Sequence, residues 1–179
     1  FYIAGSVKRE LIDVPFHSKK FKFEAMQIMK AVDDKVLEIV PSEKTVALKN
    51  ELISLANNSF FANGTPLHLV HDGEIDSIAG AITMGSNAVV IDERTTRLII
   101  EDWKSLRNLL QKKLHTRVDV NDENLKKLLK MVERVRVIRS AELAVIAYER
   151  GLLDQYIPNV RDAESELIDG VLWLSLIHI

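Results

Sequence analysis

Short apolar runs alternate with stretches of helical periodicity along most of this chain. The apolar runs are residues 35–40, 67–70, 87–91 and 135–138. Strands that alternate with helices form crossover connections, which give a parallel sheet with helices on both of its faces. The pattern therefore predicts an α/β fold with three layers, in which a parallel β-sheet is flanked by helices.

The stretches between these runs are predicted to be helices from their apolar spacing and their end signals. The predicted helices cover residues 18–33, 42–57, 75–84, 121–134, 140–150 and 163–173, with further short helices before residue 113. Residues 58–66 contain Asn, Gly and Pro and are predicted to be a turn. The run NAVVI (87–91) is apolar throughout, so we expect a central strand that is buried on both faces.

The composition fits one globular domain and excludes several kinds of site. The chain has 179 residues, of which 47% are hydrophobic, and its net charge is −2. The absence of cysteine excludes thiolate zinc sites, iron–sulfur clusters and cysteine nucleophiles, and it favours a reducing compartment such as the cytoplasm. No apolar run approaches the roughly 20 residues that a membrane span needs, so we expect no membrane partner.

Both ends of the chain lie inside apolar runs, "FYIAG" and "LWLSLIHI". Domains seldom stop within a core element, because the cut edge would be left exposed. We therefore expect a fragment that lacks elements at one or both ends, and the sequence leaves open whether residues 174–179 are native.

Glu51 is the first acid whose position needs an explanation. In the predicted helix 42–57, Leu48, Leu52 and Leu55 form the apolar stripe, and Glu51 lies on or beside it. A carboxylate turned toward the interior is costly unless something compensates its charge. The sequence leaves two compensating groups open, a Lys or Arg side chain and a divalent cation.

Acids also stand at both ends of one helix–strand unit. Glu74 and Asp76 lie at the start of a predicted helix, where capping is an ordinary role for an acid. Asp92 and Glu93 follow an apolar strand, and ligands of parallel α/β sheets bind beyond the carboxyl ends of strands. Glu51, Asp76 and Asp92 could thus converge on Mg²⁺ or Mn²⁺, which prefer oxygen ligands.

Basic residues are concentrated between Lys104 and Arg136. This segment has ten Lys or Arg residues and four acids. An excess of this kind either attracts phosphates or is a solvated helical surface, and the sequence does not separate the two interpretations.

Three stretches resemble segments of the PIN-domain nucleases: "DGEIDSIAGAITMGSNAVVIDERTTRLI", "VPSEKTVALKNEL" and "VRVIRSAELAVIAYERGLLD". In that family an acid opens a helix of small residues that ends at glycine, and an apolar strand with Asp at its tip follows. The start, "FYIAGSVKRE", resembles the sequence after the family's opening Asp-x-Asn. The resemblance implies a single PIN-like domain over residues 1–179, truncated at its N-terminus, with a helical insertion at about 101–134.

The resemblance further implies an endoribonuclease that cleaves RNA phosphodiester bonds with the help of Mg²⁺ or Mn²⁺. The catalytic and metal-binding acids would be Glu51, Asp76 and Asp92, with Glu74 and Glu93 as neighbouring candidate ligands. The basic residues expected to hold the RNA backbone are Arg94, Arg97, Lys112, Lys113 and Arg117. The family's first acid would lie before Phe1, so we expect enzyme activity in the full-length form and weak metal binding by this chain.

Two other functions stay open at this point. The first is a PIN-like module without catalysis that docks on RNA or on a protein partner, which the incomplete acid set and the insertion favour. The second is a metabolic α/β enzyme acting on a phosphorylated small molecule, which the lack of a Gly-rich phosphate loop disfavours. PIN proteins often pair, so a homodimer is compatible with the resemblance.

Overall fold

The computed structural model of the chain describes residues 1–159 and 161–176. Its helices are α1 (Gly5–Lys8), α2 (Val14–Phe16), α3 (Lys22–Asp33), α4 (Ser42–Asn57), α5 (Asp72–Thr83), α6 (Arg94–Glu101), α7 (Trp103–Leu114), α8 (Asp122–Val132), α9 (Ser140–Glu149) and α10 (Ala163–Leu176). Its strands are β1 (Tyr2–Ile3), β2 (Glu38–Ile39), β3 (Phe60–Ala62), β4 (Thr65–Pro66), β5 (Ala88–Val90), β6 (Val118–Val120) and β7 (Arg136–Ile138). A π-helical turn, Arg9–Asp13, joins α1 to α2, and a 3₁₀ turn, Asp154–Tyr156, precedes α10.

The α/β class is confirmed, but a single parallel sheet in three layers is not. Strand β1 pairs with β2, and β5 pairs with β7, in two separate parallel ribbons. The strands β4, β3 and β6 form an antiparallel sheet in that order. Helices account for 62% of the structure and strands for 11%, so the sheets are small and mixed and helix packing forms most of the core.

The predicted turn at 58–66 is a β-hairpin. Strands β3 and β4 are joined by Asn63 and Gly64, which adopt φ angles of 51° and 78°. Two-residue hairpin loops favour positive φ at both positions, and Asn-Gly is the preferred pair there. The turn chemistry was thus recognised from the sequence, while the short strands on either side of it were missed.

The predicted strand 67–70 belongs to no ladder of the described residues. Leu67 N donates to the carbonyl of Phe60 over 2.8 Å, but Leu69 N and Val70 N donate to the side chain of Asn57, at Oδ1, over 2.8 and 3.3 Å. The side-chain oxygen of Asn57, at the end of α4, therefore accepts two backbone N–H groups that would otherwise have bonded to a neighbouring strand.

Strand β5 is not central, which corrects a prediction. Val89 is buried, but Ala88 is exposed and Val90 is 42% exposed. Among the described strands β5 pairs with β7 alone, and an apolar groove of about 650 Å³ separates β5 from β1. The apolar pattern of NAVVI therefore reflects a strand that faces this groove.

The segment at 101–134 is part of the main core. It contains α7, β6 and α8, and its residues Leu106, Val118 and Leu125 are at most 2% exposed. They belong to the same buried cluster as Leu52 of α4 and Phe60 of β3. Strand β6 also pairs with β3, so the segment closes the antiparallel sheet.

None of the helices in the described ranges has the length and the apolar character that crossing a bilayer requires. Helix α10 continues through residues 174–176 of the stretch whose native origin the sequence leaves open, and residues 177–179 lie outside the described residues.

Candidate functional site

Residues in the first two turns of α5 line two pockets, and most of the acids that were predicted to bind metal line one or the other of these pockets. The Asp76 pocket has a volume of about 430 Å³ and is lined by Ser6, Lys8, Thr45, Lys49, Asp72 and Asp76. The Asp92 pocket has a volume of about 230 Å³ and is lined by Val7, Glu10, Gly73, Glu74, Asp92 and Glu93. Both lie beyond the carboxyl ends of parallel strands, where α/β proteins bind ligands.

Glu51 lines neither pocket. Its side chain is exposed on α4, whereas Leu52 beside it is fully buried. The expectation that Glu51 turns inward is wrong, because α4 directs Thr45, Leu52 and Ala56 to the core and so leaves Glu51 on the solvent side.

Asp76 is 3% exposed and lies in the second turn of α5, which starts at Asp72. Its position in the sequence is compatible with a capping role, but in the structure Asp76 does not cap this helix. Its Oδ2 accepts hydrogen bonds from the backbone amide and the hydroxyl of Ser6 over 3.0 and 2.8 Å. Its Oδ1 accepts a bond from Thr45 Oγ1 over 3.0 Å.

These contacts determine the ionisation state of the Asp76 carboxyl group. Burial raises the pKa of this carboxyl, but the hydrogen bonds from Ser6 and Thr45 and the nearby charge of Lys49 lower it by more. The net pKa lies below its ordinary value, so Asp76 is ionised at neutral pH. Its carboxylate is held by the protein's own donors, which gives it a structural role that needs no cation.

The other acids of the Asp76 pocket have basic partners. Lys49 Nζ lies 3.0 Å from Asp72 Oδ2, and Lys8 Nζ lies 2.6 Å from Asp13 Oδ1. The pocket therefore contains neutralised pairs and hydroxyl groups. Lysine therefore compensates Asp72 and Asp13 in this pocket, whereas the alternative of a Lys or Arg partner had been left open for Glu51, which is exposed.

The Asp92 pocket has a different character. Asp92 is partly buried directly after β5, and its Oδ1 accepts the backbone N–H of Ser140 over 2.9 Å at the start of α9. No Lys or Arg forms an ion pair with Asp92 within the described part of the chain, and Oδ1 is its one oxygen that accepts a hydrogen bond there. Glu74 of α5 and Glu10 of the π-helical turn border the same pocket.

Glu93 is engaged in the backbone of α6. Its two carboxylate oxygens accept the amides of Thr95 and Thr96 over 2.8 and 2.6 Å, which caps this helix. Burial raises the pKa of Glu93, but these hydrogen bonds lower it by more, so its net pKa is below the ordinary value. The cap takes the lone pairs that point toward the helix, so Glu93 is a weaker ligand candidate than Asp92.

Within residues 1–159 and 161–176, no three His, Cys, Asp or Glu side chains form a group that could hold one metal ion. The structure thus does not bring Glu51, Asp76 and Asp92 together. Mg²⁺, however, often uses one or two protein carboxylates and fills its remaining positions with water and substrate oxygens. Asp92 and Glu74 border the same pocket and carry the carboxylate oxygens that such a cation prefers.

The predicted RNA-binding residues fall into two places. Arg94 and Arg97 belong to α6, which begins directly after the Asp92 pocket. Arg97 also lies near α9, where hydrogen bonds from Arg139 and then the charge of Arg97 lower the pKa of Glu142. The other group, around the end of α7, is exposed and consists of Lys112, Lys113 and Arg117. Arg117 forms an ion pair with Asp119 over 2.8 Å.

Sequence reasoning missed the donors that fix both acids. Ser6, Thr45 and Ser140 have no pattern of their own that distinguishes them from other hydroxyl residues. The available signal was their position, because each lies within the first four residues of a helix that follows a parallel strand.

Comparisons of the chain with protein-family models, curated proteins and solved structures each return no match.

Proposed function

We propose that this chain belongs to a metal-dependent endoribonuclease of the PIN type, with Asp92 and Glu74 as its principal metal-binding acids. The observation behind this proposal is the Asp92 pocket, where several carboxylates border a small cleft at the carboxyl end of a parallel strand. Charges gathered in this way repel each other, and a bound dication would relieve the repulsion.

The choice of Glu74 over Asp76 follows from their surroundings. Both belong to the first two turns of α5, and the family pattern is compatible with either. Asp76 is already surrounded by the donors of Ser6 and Thr45, whereas Glu74 borders the same pocket as Asp92.

The chain's own groups would hold and orient the substrate. The amide of Ser140 fixes the carboxylate of Asp92, so this ligand does not have to be ordered when the substrate arrives. Arg94, which is exposed and follows Glu93 of the pocket lining in the chain, would contact a phosphate beside the scissile bond. A bound Mg²⁺ or Mn²⁺ would supply the acidity of a coordinated water and would stabilise charge on the phosphate.

The test is cleavage of a fluorophore–quencher RNA by the full-length protein, with Mn²⁺ and with EDTA. Asp92→Asn should lower the Mn²⁺-dependent rate on the order of 100-fold, because it removes a charged ligand and keeps the shape. Glu133→Gln changes an equally charged, exposed acid at the end of α8 and should leave the rate unchanged. Equal rates for Asp92→Asn and the parent protein would refute the assignment.

A second candidate is a PIN-like module that binds RNA or a protein without cleaving anything. The lack of a three-acid group in the described residues favours it. This function predicts RNA binding in EDTA that weakens steeply with salt, together with no cleavage in Mn²⁺ by the full-length protein.

A further inference from the structure

Residues 16–23, "FHSKKFKF", contain three phenylalanines and three lysines and connect α2 to α3. We call this segment the Phe/Lys face and define it by Phe16, Lys19, Lys20, Phe21, Lys22 and Phe23. The three rings are 36, 47 and 69% exposed in chain order, and the three lysines are exposed as well. Exposed aromatic rings in one place usually mark a binding surface.

The lysines lie close to the rings. Lys20 Nζ is 4.8 Å from the centre of the Phe21 ring, and Lys22 Nζ is 5.5 Å from the centre of the Phe16 ring. Each distance is within the range of a cation–π contact. Positive charge is therefore held beside flat apolar surface, and a ligand that offers a flat ring and an anion at adjacent points would match both.

The face is held in place by the local backbone. The hydroxyl of Ser18 accepts the amide of Phe21 over 3.4 Å and donates to the carbonyl of Pro15 over 2.9 Å, which closes the turn before α3. Ala25, fully buried, fixes the first turn of α3 against the protein. Phe23 thus projects from a helix and not from a loose loop, so little ordering would be needed when a ligand binds.

We infer that the Phe/Lys face binds single-stranded RNA, with bases stacked on Phe21 and Phe23 and phosphates beside Lys19, Lys20 and Lys22. Every nucleobase has a π-face, so stacking of this kind tolerates different sequences, and nearby lysines follow the backbone. The inference rests on the proposed function in naming RNA as the ligand.

The position of the face agrees with an RNA strand that continues toward the pockets. Helix α2 follows directly on the π-helical turn Arg9–Asp13, and Lys8, Arg9 and Asp13 line the Asp76 pocket. Glu10, from the same turn, borders the Asp92 pocket. One short segment thus connects the Phe/Lys face with both clefts.

Two other occupants are less compatible with the charges. A second copy docked about a two-fold axis would bring the same uncompensated lysines face to face, since residues 17–23 contain three lysines and no acid. A lipid surface needs a continuous apolar face. Met26 and Met29 of α3 are exposed as well as Phe23, but the exposed residues Glu24, Gln27 and Lys30 lie between and beside them.

The experiment measures fluorescence anisotropy of a labelled oligouridylate of about 12 nucleotides, a length within the reach of such sites. EDTA is present, so that cleavage plays no part. The variant Phe21→Ala/Phe23→Ala should weaken binding at least about tenfold, because stacking on both rings is removed. Tyr156→Ala removes an aromatic ring that is 66% exposed elsewhere, and it should bind as the parent protein does.

Two further substitutions of Phe23 separate stacking from general apolar contact. Phe23→Trp keeps a flat π-face and should retain RNA affinity, whereas Phe23→Leu keeps an apolar side chain and should lose it. The opposite order, or strong binding of anionic phosphatidylserine vesicles by the Leu variant without RNA binding, would assign the face to lipid. Self-association that Phe23→Ala abolishes, without RNA affinity, would assign it to a second copy.

Lysine variants test the proposed pairing of these side chains with phosphates. Lys19→Gln/Lys20→Gln/Lys22→Gln should reduce the slope of log affinity against log salt by about 2, at about 0.7 for each phosphate that is no longer neutralised. The matched control, Lys126→Gln/Lys127→Gln/Lys130→Gln on α8, changes the net charge equally at another place and should keep the slope. Equal reductions in both triple variants would mean non-specific attraction and would overturn the inference.

These readouts also separate the face from the nuclease proposal. One outcome is that RNA binding in EDTA is lost in Phe21→Ala/Phe23→Ala while the parent protein shows no Mn²⁺-dependent cleavage. That outcome would support RNA binding by the Phe/Lys face and would refute the nuclease proposal. The opposite outcome is that cleavage depends on Asp92 while neither cleavage nor RNA binding changes in Phe21→Ala/Phe23→Ala. That outcome would support the nuclease proposal and would refute RNA binding by the Phe/Lys face.

Discussion

Ser6 donates both its backbone amide and its hydroxyl to one oxygen of Asp76, a residue that lies 70 positions further along the chain. This contact joins the start of α1 to the second turn of α5 at the wall of the Asp76 pocket. It connects the first strand–helix unit to the central helix of the fold by a charged group with little access to solvent.

Removal of the Asp76 carboxylate should destabilise the protein strongly. Asp76→Ala leaves the hydroxyl of Thr45 and the amide of Ser6 without their acceptor, so we expect a loss of about 3 kcal/mol in the free energy of unfolding. Ser6→Ala removes one of the bonds and should cost about 1–2 kcal/mol. Urea unfolding measures both, and Asp33→Ala on the exposed end of α3 should stay within about 0.5 kcal/mol of the parent protein.

The stability contributed by Asp76 should disappear in acid. Its pKa in the folded protein is below the ordinary value, so this contribution is complete above the unfolded pKa of about 3.9 and is lost as the pH falls through the folded pKa. Asp76→Asn cannot titrate at this position. The difference in unfolding free energy between the parent protein and Asp76→Asn should therefore stay constant from pH 6 to about pH 4 and narrow as the pH falls further, and a difference that stays constant below about pH 4 would contradict the lowered pKa.

Glu93 should matter for α6 more than for any metal. Glu93→Ala removes the cap of the Thr95 and Thr96 amides and should cost about 1 kcal/mol of unfolding free energy, while Glu93→Ser, a good capping residue, should recover most of it. Mn²⁺ binding by Glu93→Ser, measured from the free-ion electron paramagnetic resonance signal, should match that of the parent protein. A large loss of binding would instead make Glu93 a ligand.

The roles of Glu51 and Glu74 should differ. Glu74→Gln should weaken Mn²⁺ binding and cleavage about tenfold or more, because this carboxylate shares a pocket with Asp92. Glu51→Gln changes an exposed side chain on α4 and should change neither by more than about twofold. Reversed effects would restore the acid set predicted from the sequence.

Leu106→Ala should destabilise the whole domain. Leu106 is fully buried in the core that α7 shares with α4 and β3, so a loss of about 2–5 kcal/mol is expected. Tryptophan fluorescence and far-ultraviolet circular dichroism should report one coincident transition. Leu114→Ala, at a position that is 42% exposed, is the matched control and should cost less than about 1 kcal/mol. Separate transitions would mean that residues 101–134 form an independent unit.

The helices from α3 onward could be predicted well from the sequence because their signals are local, whereas α1, the π-helical turn and α2 were not predicted. Helix α4 has the predicted limits, 42–57, since Pro41 ends the preceding strand and a periodic apolar stripe follows. Helix α5 starts three residues before its predicted limit, because Asp72 and Gly73 precede the first apolar residue of the helix.

Strand pairing and the site could be predicted only in part, because both depend on contacts between distant residues. The ladder between β3 and β6 joins positions about 60 apart, and nothing in "FFA" or "VDV" alone specifies that pairing. In the same way, Asp92 was recognised from its place after a strand, but Glu51 was misplaced because Glu51 and Leu52 are neighbours on one helix. A rotation of α4 by one residue decides which of the two faces the core.

Helix α5 packs against both β1 and β5, although these strands do not pair with each other anywhere in the described chain. Gly80 of this helix lies against the side chain of Val40, and Val40 N donates to the carbonyl of Ile3 at the end of the β1–β2 ribbon. A two-stranded ribbon is only marginally stable by itself, so the β1–β2 ribbon and the β5–β7 ribbon both depend on packing against α5 for their stability. Ile91 N donates to the carbonyl of Ile138 at the end of the β5–β7 ribbon. Undocking of α5 would therefore expose the amide protons of Val40 and Ile91 to exchange together, as a single cooperative opening.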